Sequence, residues 1–232
     1  MKKLIFTLFV SLFLFSSVFA SAFQKQVVRW SGTTTPAPKI RPILVADASS
    51  TQTDLYSKAE RLLKSGKYDE VIQLLSGPAF AEPYSFKLNI LLAKAQLEKC
   101  VILQANGDRS YKQLIQRPYI IGRRLHKLDK RNPELYYIVA RALLINGRFR
   151  RAGRTIKKAV YFSPSNPDYL LVEGDVWSAL LGDYRAFSKA KNAYRRAMNL
   201  RKNDQKFKAL IEKKLEDLSK RKKALEEEDE KR

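Results

Sequence analysis

Cysteine and histidine are almost absent from this sequence, with one of each in 232 residues. The single cysteine, Cys100, forms no intrachain disulfide, so the chain is not a disulfide-stapled scaffold. One His and one Cys also fall short of a His/Cys metal site, leaving only carboxylates for a hard cation. Glycine is scarce, at nine residues, and no P-loop, GxGxxG or HExxH pattern occurs. A Ser/His/Asp arrangement would have to use His126. That residue sits in Arg123-Arg124-Leu125-His126-Lys127, where the cations disfavour its protonated form. His126 therefore reads as a surface helix residue. Cys100, at the end of an apolar helix face, reads as a buried thiol rather than a nucleophile. Acidic charge is the minority sign, with 23 Asp+Glu against 45 Lys+Arg and a formal net charge of +22. The acidic run Glu226–Glu230 reads as a solvated tail. No enzyme, cofactor or metal is expected. Apolar content is ample, at 45% of residues, which argues against disorder throughout.

Residues 1–22 have the order of a secretory signal peptide: Lys2 and Lys3, a Phe/Leu/Val-rich stretch from Leu4 to Phe19, then Ala20-Ser21-Ala22. Cleavage is expected after Ala22, with Ala20 as the second choice. The alternative is an uncleaved inner-membrane anchor, though the apolar stretch is short for a span of roughly 20 residues. The Phe at position 23 excludes a lipoprotein, which needs Cys there. No later stretch is apolar enough to cross a membrane. The expected location is thus periplasmic or secreted, and loss of Lys2 and Lys3 lowers the charge from +22 to +20.

Residues 23–53, with Thr33-Thr34-Thr35-Pro36-Ala37-Pro38, read as a flexible linker. Pro42–Ala46 within it could dock as a strand, but a spacer is the simpler reading. Helical periodicity begins at Asp54. Leu55, Ala59, Leu62 and Leu63 share one face, Gly66 breaks the helix, and Tyr68, Val71, Ile72 and Leu75 start a second. Gly77-Pro78 is expected to end it.

The pattern is clearest from Pro133. Tyr136, Val139, Ala140 and Leu143 form a stripe, Gly147 makes the turn, and Phe149, Ala152, Ile156 and Ala159 form the next stripe before Pro164. Pro167 opens another unit 34 residues after Pro133, with Leu170, Gly174, Trp177, a turn at Gly182, then Tyr184, Ala190, Tyr194 and Ala197. Residues 83–132 are less regular. Leu88, Leu91, Leu92 and Ala95 form a stripe, and Ile121, Leu125 and Leu128 repeat the spacing of Ala152, Ile156 and Ala159. An insertion at roughly 100–118 leaves the register between them unassigned. Residues 201–232 form a capping helix, with Phe207, Leu210, Ile211, Leu215 and Leu218 as its apolar stripe, and a charged tail.

The 34-residue helix–turn–helix period with these residues resembles the tetratricopeptide repeat, most fully over 133–200 and weakly over 54–132. The resemblance implies an all-α fold of antiparallel helix pairs stacked as a short right-handed solenoid, spanning 54–200. It also implies a groove lined by Tyr137, Arg141, Leu144, Leu171, Asp175 and Ser178, with Tyr56 and Glu60 in the first repeat. Repeats that hold chaperone C-terminal carboxylates place paired Asn and Lys at such positions, and this sequence lacks that set. An extended peptide is the expected groove ligand.

Residues 109–158 hold 15 basic and two acidic residues, a net +13. Arg123, Arg124 and Lys127 lie off one apolar stripe. Arg150, Arg151, Arg154, Lys157 and Lys158 lie off the next. Stacked repeats should align them as an outer ridge that attracts phosphates or carboxylates. Export argues against nucleic acid. The expected function is a non-catalytic scaffold binding another envelope protein. The alternative is a peripheral protein whose ridge holds anionic lipid or polymer, and a merely solvated face is the third possibility.

Overall fold

The computed structural model describes residues 48–180 and 184–229. The expected signal peptide, the linker up to residue 47 and the turn residue Gly182 lie outside the described residues. The described chain is all helical: α1 (Ala48–Lys64), α2 (Tyr68–Ala81), α3 (Phe86–Ala105), α4 (Tyr111–Leu114), α5 (Gln116–His126), α6 (Pro133–Ile145), α7 (Phe149–Phe162), α8 (Pro167–Ala179), α9 (Tyr184–Leu200) and α10 (Gln205–Asp229). No strand occurs among the described residues.

The packing partners define two rows. First helices of successive pairs pack side by side, α1 on α3, α3 on α6 and α6 on α8, and form an inner row. Each second helix, α2, α5, α7 or α9, packs on its own first helix and on the next one, and forms an outer row. α10 follows α9 as one more first helix. This is the stacked helix-pair array expected from the 34-residue period.

Local chemistry sets the boundaries. Gly66, Gly107 and Gly147 take φ of +77°, +74° and +73° at the tight turns after α1, α3 and α6, a left-handed geometry that side chains resist. Asn132 and Asn166 cap α6 and α8. Their side-chain oxygens accept the backbone N–H of Glu134 and Asp168 at 3.0 Å, and a proline follows each at the first helical position.

The structure corrects several sequence expectations. α1 starts at Ala48, so residues 48–53 are helix rather than linker. α2 runs through Pro78 to Ala81, because a proline near the last turn costs only one N–H donor and buried Ala79 holds the turn in place. In the middle, α3 is a 20-residue first helix and α5 its partner, with Pro118 tolerated in α5's first turn. The expected insertion is the tail of α3 plus the short α4. Leu128 lies past the end of α5 and is 56% exposed, so it is not part of the apolar stripe. Leu210 likewise faces outward on α10, whose buried residues are Phe207, Ile211 and Leu218. The charged tail stays helical to Asp229, with ion pairs Lys220–Glu216 at 2.6 Å and Lys222–Glu226 at 2.9 Å.

The core is shared between neighbouring pairs. Ala140, Ala152, Ile156 and Ala159 are fully buried where α6 and α7 meet. Leu170, Ala190, Tyr194 and Ala197 bury the contact of α8 with α9, joined by Phe207, Ile211 and Leu218 of α10. Gly174 is tightest: a Cβ there would press into the Tyr194 ring.

Candidate functional site

The inner row is balanced in charge. α1, α3, α6 and α8 together carry seven acidic and seven basic residues. Many of these pair across neighbouring helices. Lys87 reaches Glu60 at 3.6 Å and lies 4.5 Å from the Tyr56 ring. Lys94 reaches Glu134 at 2.8 Å. Arg141 donates through Nη1 to Glu98 and, at 3.1 Å, to the Tyr137 hydroxyl. Tyr137 is nearly buried and its ring lies 5.2 Å from that of Tyr169. Burial raises the phenol pKa of Tyr137, against the pull of Arg141. Further along, Asp175 accepts from the Tyr194 hydroxyl and from Lys214 Nζ, both at 2.7 Å. The Ser178 hydroxyl donates to the Asp175 carbonyl at 2.9 Å.

The expected groove residues are therefore brought together, but mostly as each other's partners. Tyr56 and Glu60 meet at Lys87, Tyr137 and Arg141 at Glu98, and Asp175 and Ser178 at Tyr194. Leu144 and Leu171 are half-buried. Glu98 and Lys214, which complete two of these clusters, were not anticipated, because their partners are distant in sequence.

The outer row differs. α5, α7 and α9 carry 13 Lys and Arg and no carboxylate. Arg123, Lys127, Arg150, Arg151, Arg154, Lys157 and Lys158 are all exposed, and among the described residues no carboxylate lies within ion-pair distance of them. Arg124 departs from the expected ridge: it turns inward and donates to Asn89 Oδ1 of α3 at 2.9 Å. The ridge also extends further than the sequence reading took it, onto Lys189, Lys191, Arg195 and Arg196 of α9. The signal for that was present, since 184–200 contains no acid. Trp177 of α8 lies under two of these cations, 5.2 Å from Lys157 and 4.3 Å from Lys189.

His126 is not a plain surface residue. It is half-buried with its ring 4.6 Å from Tyr136, and Tyr136 in turn stacks on Phe162 at 5.8 Å. Burial, then Arg123, Lys158 and Lys130, lower its pKa from the ordinary 6.5. Cys100 is fully buried, and burial pushes its thiol up to about 11, which suppresses the thiolate. No cluster of His, Cys, Asp and Glu suited to a metal occurs among the described residues. A cavity of about 370 Å³ lies between α9 and α10, floored by Phe187, Leu215 and Leu218 and rimmed by Lys191, Arg195 and Lys222.

No family model and no curated protein matches the sequence. Among solved structures, TTC0263, a thermophilic tetratricopeptide-repeat protein of Thermus thermophilus, superposes with a TM-score of 0.57 at 14% identity, over 68% of this chain and 78% of that one. A MamA structure superposes at 0.45 with 20% identity, over 75% of this chain and 95% of MamA. The likeness to TTC0263 is one of fold, and with the two-row packing it shows an all-α array of helix pairs whose fold is like that of a tetratricopeptide-repeat protein.

Proposed function

We propose that this chain is an exported, non-catalytic repeat scaffold that binds another protein of the cell envelope, using the outer face of α5, α7 and α9 to hold an acidic surface of that partner. The observation that carries this reading is the sorting of charge by row. The inner helices balance seven acids with seven bases, while three outer helices hold 13 cations and no acid. Like charges crowded on one face repel one another, and an anionic partner relieves that repulsion. The groove is the lesser candidate, because Arg141 and Asp175 already have internal partners.

The test reverses Arg123, Lys127, Arg154 and Lys158 to Glu. Cross-linking in intact envelopes should capture a discrete acidic protein with the native chain and lose it with the variant. A control reverses Lys206, Lys213, Arg221 and Lys223, exposed cations of α10 outside its ion pairs. Equal loss in that control would assign the effect to net charge alone. Undiminished capture by the first variant would sink the reading.

A second reading has the same face hold anionic lipid or polymer. It is favoured by the spread of the exposed cations over three helices, which suits a diffuse anionic surface. Each cation near an anionic membrane is worth about 1 kcal/mol, so the fourfold reversal should weaken vesicle binding by roughly three decades. Added salt should weaken it too, since exposed charges are screened within about 8 Å at physiological ionic strength.

A further inference from the structure

Three of the outer helices end in exposed apolar side chains, and the loop just past the fourth carries another. Phe80, in the last turn of α2, is 89% exposed, and Tyr161, in the last turn of α7, is 80% exposed. Leu128, two residues past α5, is 56% exposed, and Leu200, the last residue of α9, is 47% exposed. Each outer helix leads by a short loop into the next inner helix, and the inner helices lie side by side, so these four ends share one edge of the array. The aromatic contacts show the convergence directly. Tyr136 at the start of α6 meets His126 at the end of α5 and Phe162 at the end of α7.

Scattered exposed apolar residues need no explanation, but one at or just past the end of every outer helix does. The groups are spread over four successive helix ends, with Phe162 beside Tyr161 and Tyr136 beside Phe162. A protein hot spot wants a contiguous centre in a closed pocket. Apolar groups strung along an edge beside cations suit a continuous, deformable, anionic surface. The cations are present: Lys127, Lys130, Arg131, Lys158 and Lys202 are exposed near these ends. The carboxylates at the edge are Glu82, Asp129, Glu134, Asp168 and Asp204, and four of them are engaged locally, Glu134 with Lys94 at 2.8 Å and Asp168 with Arg201 at 3.1 Å. Asp129 accepts the Arg131 N–H and Asp204 the Phe207 N–H, each at 3.0 Å.

We infer that this edge docks on an anionic lipid bilayer, with Phe80, Leu128, Tyr161 and Leu200 entering the interfacial layer while the neighbouring cations meet the head groups. Tyrosine and phenylalanine suit that layer, and each lysine or arginine adds attraction to anionic lipid. The inference rests on the lipid reading of the outer face and gives it an orientation.

The experiment uses the full chain with bimane attached at Tyr161→Cys, Phe80→Cys or, as a control, Ser57→Cys on α1. Buried Cys100 stays unlabelled. Probes are vesicles of phosphatidylcholine with one quarter phosphatidylglycerol, and vesicles of phosphatidylcholine alone. Labels at 161 and 80 should shift to the blue and be quenched by nitroxide lipid with the anionic vesicles only, while the label at 57 stays unchanged. Phe80→Ser with Tyr161→Ser should weaken the partition by about tenfold at unchanged melting temperature. If the chain sediments with anionic vesicles but neither edge label responds, the edge inference falls and the lipid reading stands. If it does not sediment with them, both fall. A blue shift without vesicles that grows with protein concentration would assign the edge to a second copy. One without vesicles at every concentration would assign it to the chain's own N-terminal segment. One produced by polyglutamate would assign it to an acidic protein. Each of these three results overturns the inference.

Discussion

Gly174 shows how one missing side chain positions several others. Its hydrogen leaves room for the Tyr194 ring, whose hydroxyl then reaches Asp175, and Asp175 receives Lys214 from α10. Three helices thus converge on a glycine. Alanine is the better helix former by about 1 kcal/mol, yet Gly174→Ala should destabilise the chain by about 1–3 kcal/mol, because the buried ring has nowhere to move. Thermal or urea unfolding reads this directly, and a stabilised variant would mean that the ring yields freely. His126 offers a second test. Its pKa lies below 6.5 in the folded chain, so the unfolded chain takes up the proton first. The stability tied to the neutral ring is complete above pH 6.5 and is lost as pH falls below it, until the folded-state pKa is passed. Melting temperature should therefore decline less steeply from about pH 7.5 to about 5.5 in His126→Gln than in the native chain. Parallel curves would show that the imidazole contributes nothing to the slope.

Legibility varied from element to element for identifiable reasons. The α6–α7 pair was readable because Gly147, Ala152, Ile156 and Ala159 each have one local role, a left-handed turn or a close helix contact. The α3–α5 pair was not, because α3 overruns the usual length and α4 interrupts the count. Apolar spacing alone also misled at Leu128 and Leu210, since periodicity does not record where a helix stops or which face a terminal helix buries. The two-row arrangement followed from the period, whereas the pairing of Arg141 with Glu98 joins residues 43 apart and left no local trace. α10 gives the test at this scale. In a stacked array each unit touches only its neighbours. Ile211→Ala should cost about 2–4 kcal/mol, felt mainly at the C-terminal end. Amide exchange should accelerate in α9 and α10 while α2 and α3 keep their protection. Uniform acceleration would show one cooperative unit instead.

For the whole molecule, export is the expectation that decides which partners it can meet. Lys2, Lys3, the apolar stretch and Ala20-Ser21-Ala22 predict that N-terminal sequencing of the protein from its host begins at Phe23 or Ser21. Intact Met1 on membrane-held chain would replace the cleaved form with an anchored one. Along the stacking direction, the outer row is also uneven. α2 carries Asp69 and Glu70 and no cation, whereas α5, α7 and α9 carry only cations. The outer row is therefore polarised along the stack, a gradient the inner row partly offsets, since α1 and α3 together are net +3 and α6 and α8 net −3. Near a negatively charged plane it experiences a turning couple before any contact is made. The couple swings the later helix pairs forward and holds α2 back. Tumbling becomes biased, and a larger share of collisions arrives in one attitude. Moving two carboxylates from α2 to α9 would lessen this bias at constant net charge, slowing the onset of binding and also weakening the hold of α9 itself.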